Sequence, residues 1–249
     1  FANGLLLALL LPLLGAYVRL RNEWLAALGL AQVTAAGGVT AILVGIHPLA
    51  GALGAAVIAA GVKGRTERSG NDVYAVLLFF GWSAALLGAA NSVRGEELSH
   101  ALLEGQLYFT TWANLGGAIA LVALVAAAGP WLSKKLLLEH FFPDHLSANR
   151  QSPWRLHLAF DLLVAFSVAL ATESIGVMAT FCLVFFPPWV AFRIASSWQR
   201  ALVHSAGLAV TAYLVAFALA IAFDQPFGPV LVGTLVISGL VRLPVPRHR

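Results

Sequence analysis

The stretch ANGLLLALLLPLLGAYVRLR, residues 2–21, is an apolar run closed by Arg19 and Arg21, with no Asp, Glu, Lys or Arg before them. A helix crossing a hydrocarbon core of about 30 Å needs roughly 17–25 such residues. No small-residue cleavage site follows the run, so it is expected to be a retained helix rather than a removed leader. Further apolar segments follow at about 25–46, 49–62, 73–92, 110–129, 156–172, 175–192, 201–223 and 227–241. Threading the chain back and forth through them places fourteen of the fifteen Lys and Arg residues on one face. These are Arg19/Arg21, Lys63/Arg65/Arg68, Lys134/Lys135/Arg150/Arg155, Arg193/Arg200 and Arg242/Arg247/Arg249, with Arg94 alone on the other. Basic loops are retained on the cytoplasmic side, so that face is expected to be cytoplasmic, with the C-terminus inside.

The expected fold class is therefore all-α: a polytopic membrane protein of eight or nine crossings, forming a single domain over 1–249. The chain is 60% hydrophobic and 10% charged, against about 25% charged in soluble domains. Its net charge of +4 belongs to loops facing anionic lipid or a partner, and nucleic acid is not an expected partner. The only cysteine, Cys182, lies in an apolar run and excludes a disulfide framework. The third and ninth segments are short for a full crossing. The sixth and seventh are expected to be divided at Thr172–Ser174.

No catalytic constellation is present: His-Glu-x-x-His, Gly-x-Ser-x-Gly and Cys-x-x-Cys are all missing. GVKGRTERSG (61–70) lacks the Gly-Lys-Ser/Thr ending of a nucleotide-binding loop. The chain is thus expected not to be an enzyme and to hold no cofactor. Within the membrane, Asp161 and Glu173 are the ionisable residues that need a partner or a wet cavity. Asp161 is expected to reach Arg155 or His157, and Glu173 to lie at the outer boundary. Gln32 is polar and deep, with an interhelical hydrogen bond as its expected role. In the outer loop, Glu97, His100 and Glu104 share a helical face, and with Glu96 they could gather cations or dock a basic partner. The loop 131–154 carries Glu139, His140, Pro143, Asp144, His145 and Arg150, a pattern better suited to partner docking than to metal.

Four stretches then resemble one family in order and spacing. ESIGVMATFCLVFFPPWVAFR (173–193) is similar to an apolar region in which Gly176, Pro187, Ala191 and Arg193 fall in register. DQPFGP (224–229) resembles an Asp-x-Pro-x-Gly turn before the last helix. Phe142–Asp144 resembles a cytoplasmic Asp/Pro segment, and LLEGQLYFTTWANL (102–115) a fourth run. The family is the permease subunits of bacterial zinc- and manganese-type metal-uptake ABC transporters, with a type II-like importer fold. The resemblance implies a second copy of the chain, two cytoplasmic ATPases that bind ATP and Mg, and an external metal-binding protein. It also implies an inner-membrane location, and ATPase coupling through about His140–Arg150, including Pro143 and Asp144.

One departure bears on cargo. The family usually carries Asp and His four residues apart on its second helix, facing the translocation path. In LGLAQVTAAG (28–37) those positions hold Leu28 and Gln32. Gln is a poor zinc ligand. Zinc, then manganese, is the expected cargo, with the metal site itself unknown. A metal chelate or other organic ligand is the alternative, and an intramembrane enzyme using Asp161 or Glu173 is the remote one. Gln32, Asp161 and Glu173 are the expected pathway residues.

Overall fold

Segments that are apolar all round have no stable place except inside a protein core or a bilayer, and there the backbone must bond to itself as helix. The computed structural model describes residues 1–64, 70–91, 105, 107, 111–142 and 153–240. Among them are nine helices: α1 (Ala2–Leu20), α2 (Ala26–Leu43), α3 (Pro48–Gly64), α4 (Gly70–Ala90), α5 (Trp112–Phe141), α6 (Pro153–Ile175), α7 (Val177–Ile194), α8 (Trp198–Ala222) and α9 (Phe227–Leu240). Seven are long and apolar enough to cross a membrane, while α3 and α9 are the short ones.

Two boundaries differ from the expected ones. α6 runs straight through Thr172–Ser174, because the Ser174 hydroxyl donates to the Leu170 carbonyl of its own helix at 2.9 Å. The break falls instead at Gly176, whose φ of 88° suits glycine. Residues 131–141, expected to be loop, continue α5, which carries Pro130 within it. That proline removes one bond, to the Ala126 carbonyl, without ending the helix.

Helix ends are closed by a common device. After α1, Asn22 takes a left-handed φ of 57°, and Glu23 N–H reaches back to the Val18 carbonyl at 3.0 Å. α2 closes the same way through Gly45, with Ile46 N–H on Ala41, and α8 through Asp224, with Gln225 N–H on Ala220. The turn after α1 is strapped to α4: Asn71 Nδ2 donates to the Asn22 carbonyl at 2.7 Å, and its Oδ1 accepts from Leu25 N–H at 3.1 Å. Thr111 and Ser197 cap α5 and α8.

α1, α2, α6 and α7 form the interior; α4, α5 and α8 present more of their surface outward. α2 packs on α3 and α4, α1 on α7, α8 and α5, and α6 against α1, α2, α3, α5 and α7. Cross-links identify the two ends of the bundle. At one end Asn3 Nδ2 donates to Ser174 Oγ at 2.8 Å, beside the ring cluster Phe1, Tyr213, Phe217 and Phe227. At the other, Tyr17 meets Trp198 and Arg19 lies over Phe192. This second end gathers the ends of α1, α3, α5 and α7 with the starts of α6 and α8. They are the ends that carry the basic clusters.

Candidate functional site

The Asn22 turn brings Glu23 back beneath Arg21, and the close of α3 delivers Lys63 to the same point. Arg21 Nη1 donates to Asp161 Oδ1 at 2.7 Å, and Nη2 meets Glu23 Oε1 at 3.1 Å. Lys63 Nζ bridges Asp161 Oδ2 at 2.8 Å and Glu23 Oε1 at 2.9 Å. Two cations and two carboxylates thus form a closed square, and the Asp161 side chain is only 3% exposed. Burial opposes the charge of Arg21, but Asp161 and Glu23 outweigh it, so its pKa is raised above the ordinary arginine value. Arg21 therefore stays charged, and the net formal charge of zero over the square is what makes its burial tolerable. Asp161 accordingly pairs with neither Arg155 nor His157. His157 Nε2 instead lies 2.8 Å from Glu139 Oε1, linking α6 to α5. The square and the His157–Glu139 pair border a cleft of about 420 Å³ at the basic end, which the exposed His140 also lines.

Glu173 sits at the opposite end of α6, about 18 Å from Asp161 at 1.5 Å per residue. It is half-buried, hydrogen-bonded by the Asn114 side chain and within electrostatic reach of His47. Its Oε2 and the neighbouring Thr172 Oγ1 are buried and have no hydrogen-bond partner among the described residues. Both residues border a cavity of about 10 Å³ against Thr34, Gly38, Pro48 and Ala52. That is at most room for one water, so this point is closed.

Leu28 and Gln32 lie one turn apart on α2 and are both partly exposed. The expected interhelical hydrogen bond of Gln32 is not formed among the described residues; its backbone lies against Gly81 of α4. Glu96, Glu97, His100 and Glu104, and likewise Pro143, Asp144 and Arg150, lie outside the described residues. Among the described residues no three His, Cys, Asp or Glu side chains are grouped to hold a metal. Arg21, Glu23 and Lys63 did not stand out in the sequence as site residues. The available signal was an isolated acid, Glu23, next to a basic cluster at a helix end.

Comparison with known proteins agrees with this architecture. A "Probable iron transport system membrane protein" of Haemophilus influenzae is 22% identical over 233 residues, covering 92% of this chain and 86% of the relative. The solved structure of PsaBC from Streptococcus pneumoniae in complex with Fab superposes with a TM-score of 0.83 at 16% identity, over 100% of this chain and 91% of that one. An inward-facing ABC transporter described as metal-chelate type gives 0.72 at 16% identity, over 95% and 84%. At those identities the solved structures establish the fold. Residues 1–243 match the profile of the ABC 3 transport family, and the chain is a multi-pass membrane permease belonging to that family.

Proposed function

We propose that this chain is the membrane path of a bacterial ATP-driven importer for a divalent transition metal, zinc first and manganese next. It works as a homodimer in the inner membrane with its C-terminus cytoplasmic. Two separate ATPase subunits bind ATP and Mg and dock near His140–Arg150, and an external metal-binding protein delivers the ion. The family match along 1–243 supports transport. The observation that carries a cation as cargo is the pair of orphaned oxygens, Glu173 Oε2 and Thr172 Oγ1, at the closed point beside Asn114 and His47. Carboxylate, hydroxyl and imidazole are donors that first-row divalent ions accept, and an acceptor-only oxygen left unpaired there is satisfied by a passing cation or its water. Asp161, engaged by Arg21 and Lys63, belongs to the frame of the path rather than to its ligands.

Glu173→Gln keeps the shape of that side chain and removes its charge. Uptake of zinc or manganese into proteoliposomes holding the assembled complex should fall about tenfold or more, the scale seen when a metal's surroundings are disturbed, with ATP hydrolysis retained. Uptake at the wild-type rate would remove Glu173 from the path.

A second reading, a metal chelate as cargo, is favoured by Leu28 and Gln32, which leave α2 without charged or imidazole donors at those positions, and by the likeness to the metal-chelate type transporter. The two are separated by ATP hydrolysis of the complete complex in lipid, combined with elemental analysis. Stimulation by zinc- or manganese-loaded binding protein is the expected result. Indifference to both, with stimulation by an iron chelate, would transfer the cargo to the second reading.

A further inference from the structure

An apolar groove of about 350 Å³ opens between α1 and α5. Leu9 and Leu13 of α1 and Val122 and Gly129 of α5 form its sides, with Phe160 and Leu163 of α6 as its floor. Pro130 also lines it, and its missing N–H leaves the Ala126 carbonyl, on the same wall, without its helical partner. Toward the basic end the groove is crossed by a polar bridge, where Tyr17 Oη donates to Ser133 Oγ at 2.7 Å. From Leu9 to Tyr17 is about 12 Å of α1, and from Val122 to Leu136 about 21 Å of α5. These lengths bracket the roughly 15 Å depth of one leaflet.

Immediately beyond the bridge come Lys134, which is exposed, and Lys135, whose Nζ lies 4.5 Å over the Trp131 ring. Trp131 itself is 54% exposed, the position of an interfacial anchor. Arg200 stands exposed two residues before Leu202, another wall of the groove. An apolar slot of leaflet depth, with a tryptophan and three cations one or two residues from its walls on the same helices, has the chemistry of a phospholipid turned inside out.

We infer that this groove is a binding site for an anionic phospholipid, one acyl chain lying between α1 and α5 and the phosphate headgroup meeting Lys134 and Lys135. Bound there, the lipid joins α5 to α1 along the length where the Tyr17–Ser133 hydrogen bond also links them. The choice of an anionic headgroup rests on charge complementarity, since Lys or Arg beside an anionic surface attracts it appreciably.

The test is native mass spectrometry of the assembled transporter, titrated with phosphatidylglycerol and with phosphatidylcholine. Phosphatidylglycerol should bind about thirtyfold more tightly, the preference expected of two lysines. Lys134→Gln with Lys135→Gln should erase that preference while leaving both lipids bound. A Cβ at Gly129 would meet only Val125 Cγ1, at 3.8 Å, so Gly129→Leu can fill the groove without displacing backbone. It should weaken both lipids at least tenfold, while the complex remains assembled. Equal binding of the two lipids by the wild type overturns the headgroup assignment, and undiminished binding by Gly129→Leu overturns the groove. A disulfide formed between Leu9→Cys on one copy and a cysteine on its partner would show that a second copy fills the slot, and would also overturn it.

Discussion

Asp161→Ala is expected to destabilise the folded permease by about 3–5 kcal/mol, the cost of removing one side of a buried ion pair. Lys63 and Arg21 would then share Glu23 alone, leaving an excess positive charge where the side chains are 9% and 12% exposed. The damage would spread, because the square ties the ends of α1 and α3 to the start of α6 and fixes the turn leading into α2. Removing one charge of each sign separates the effect of charge from that of shape. The pair Lys63→Met with Asp161→Leu restores neutrality, retains Arg21 with Glu23 and keeps the volume filled. It should recover most of the lost stability, since apolar replacement of buried pairs is often neutral or better. Thermal unfolding in lipid nanodiscs measures both variants. A wild-type melting temperature for Asp161→Ala would mean that the carboxylate is dispensable and the square contributes little.

Those partners explain why the fold was more legible than the site. Crossing a bilayer demands about 20 apolar residues in sequence, a local requirement visible in any window, and the basic ends followed from loop composition. The partners of Asp161 obey no local rule. Reading outward from Asp161 finds Arg155 and His157, but its true partners are 140 and 98 residues away. They are brought in by the Asn22 turn and by the packing of α3 on α6, which no periodicity encodes. The same holds for Gln32, whose polarity suggested a bond that the approach of Gly81 to its backbone does not provide. The misplaced break between α6 and α7 has a different cause. Thr172–Ser174 look like polar punctuation, yet hydroxyls can bond within their own helix, and the interruption needs the positive φ of Gly176. The length of α5 was hidden because Pro130 and the lysines after it resemble a loop start, and a membrane helix tolerates both.

Gly15→Val should be the most damaging change among the glycines that bring helices together, with a loss of about 3 kcal/mol or more, at the upper end for overpacked sites. A Cβ at Gly15 would overlap the carbonyl oxygen of Val184 on α7. That oxygen stands out from its own helix for a reason written four residues on: Pro188 has no N–H to bond it. One Gly15 Cα–H points at the free oxygen instead, a weak interaction of about 0.5–1 kcal/mol, but one that only glycine permits at this spacing. Pro187, one position earlier, does the same to the Leu183 carbonyl, so the double proline both frees α7's backbone and selects the residue that α1 presents to it. Because helices in a bilayer are held by close packing rather than by hydrophobic burial, a side chain here must push α1 away from α7 with little to offset it. Gly207→Ala is the matched control: nothing lies within 4 Å of a Cβ there, and alanine should be neutral or stabilise the helix by up to about 1 kcal/mol. Melting temperature and recovery of assembled complex should fall in the order Gly207→Ala, Gly15→Ala, Gly15→Val. If Gly15→Val melted with the wild type, α1 and α7 would have to stand further apart, and Pro187 and Pro188 would need another explanation than the close joint between these two helices.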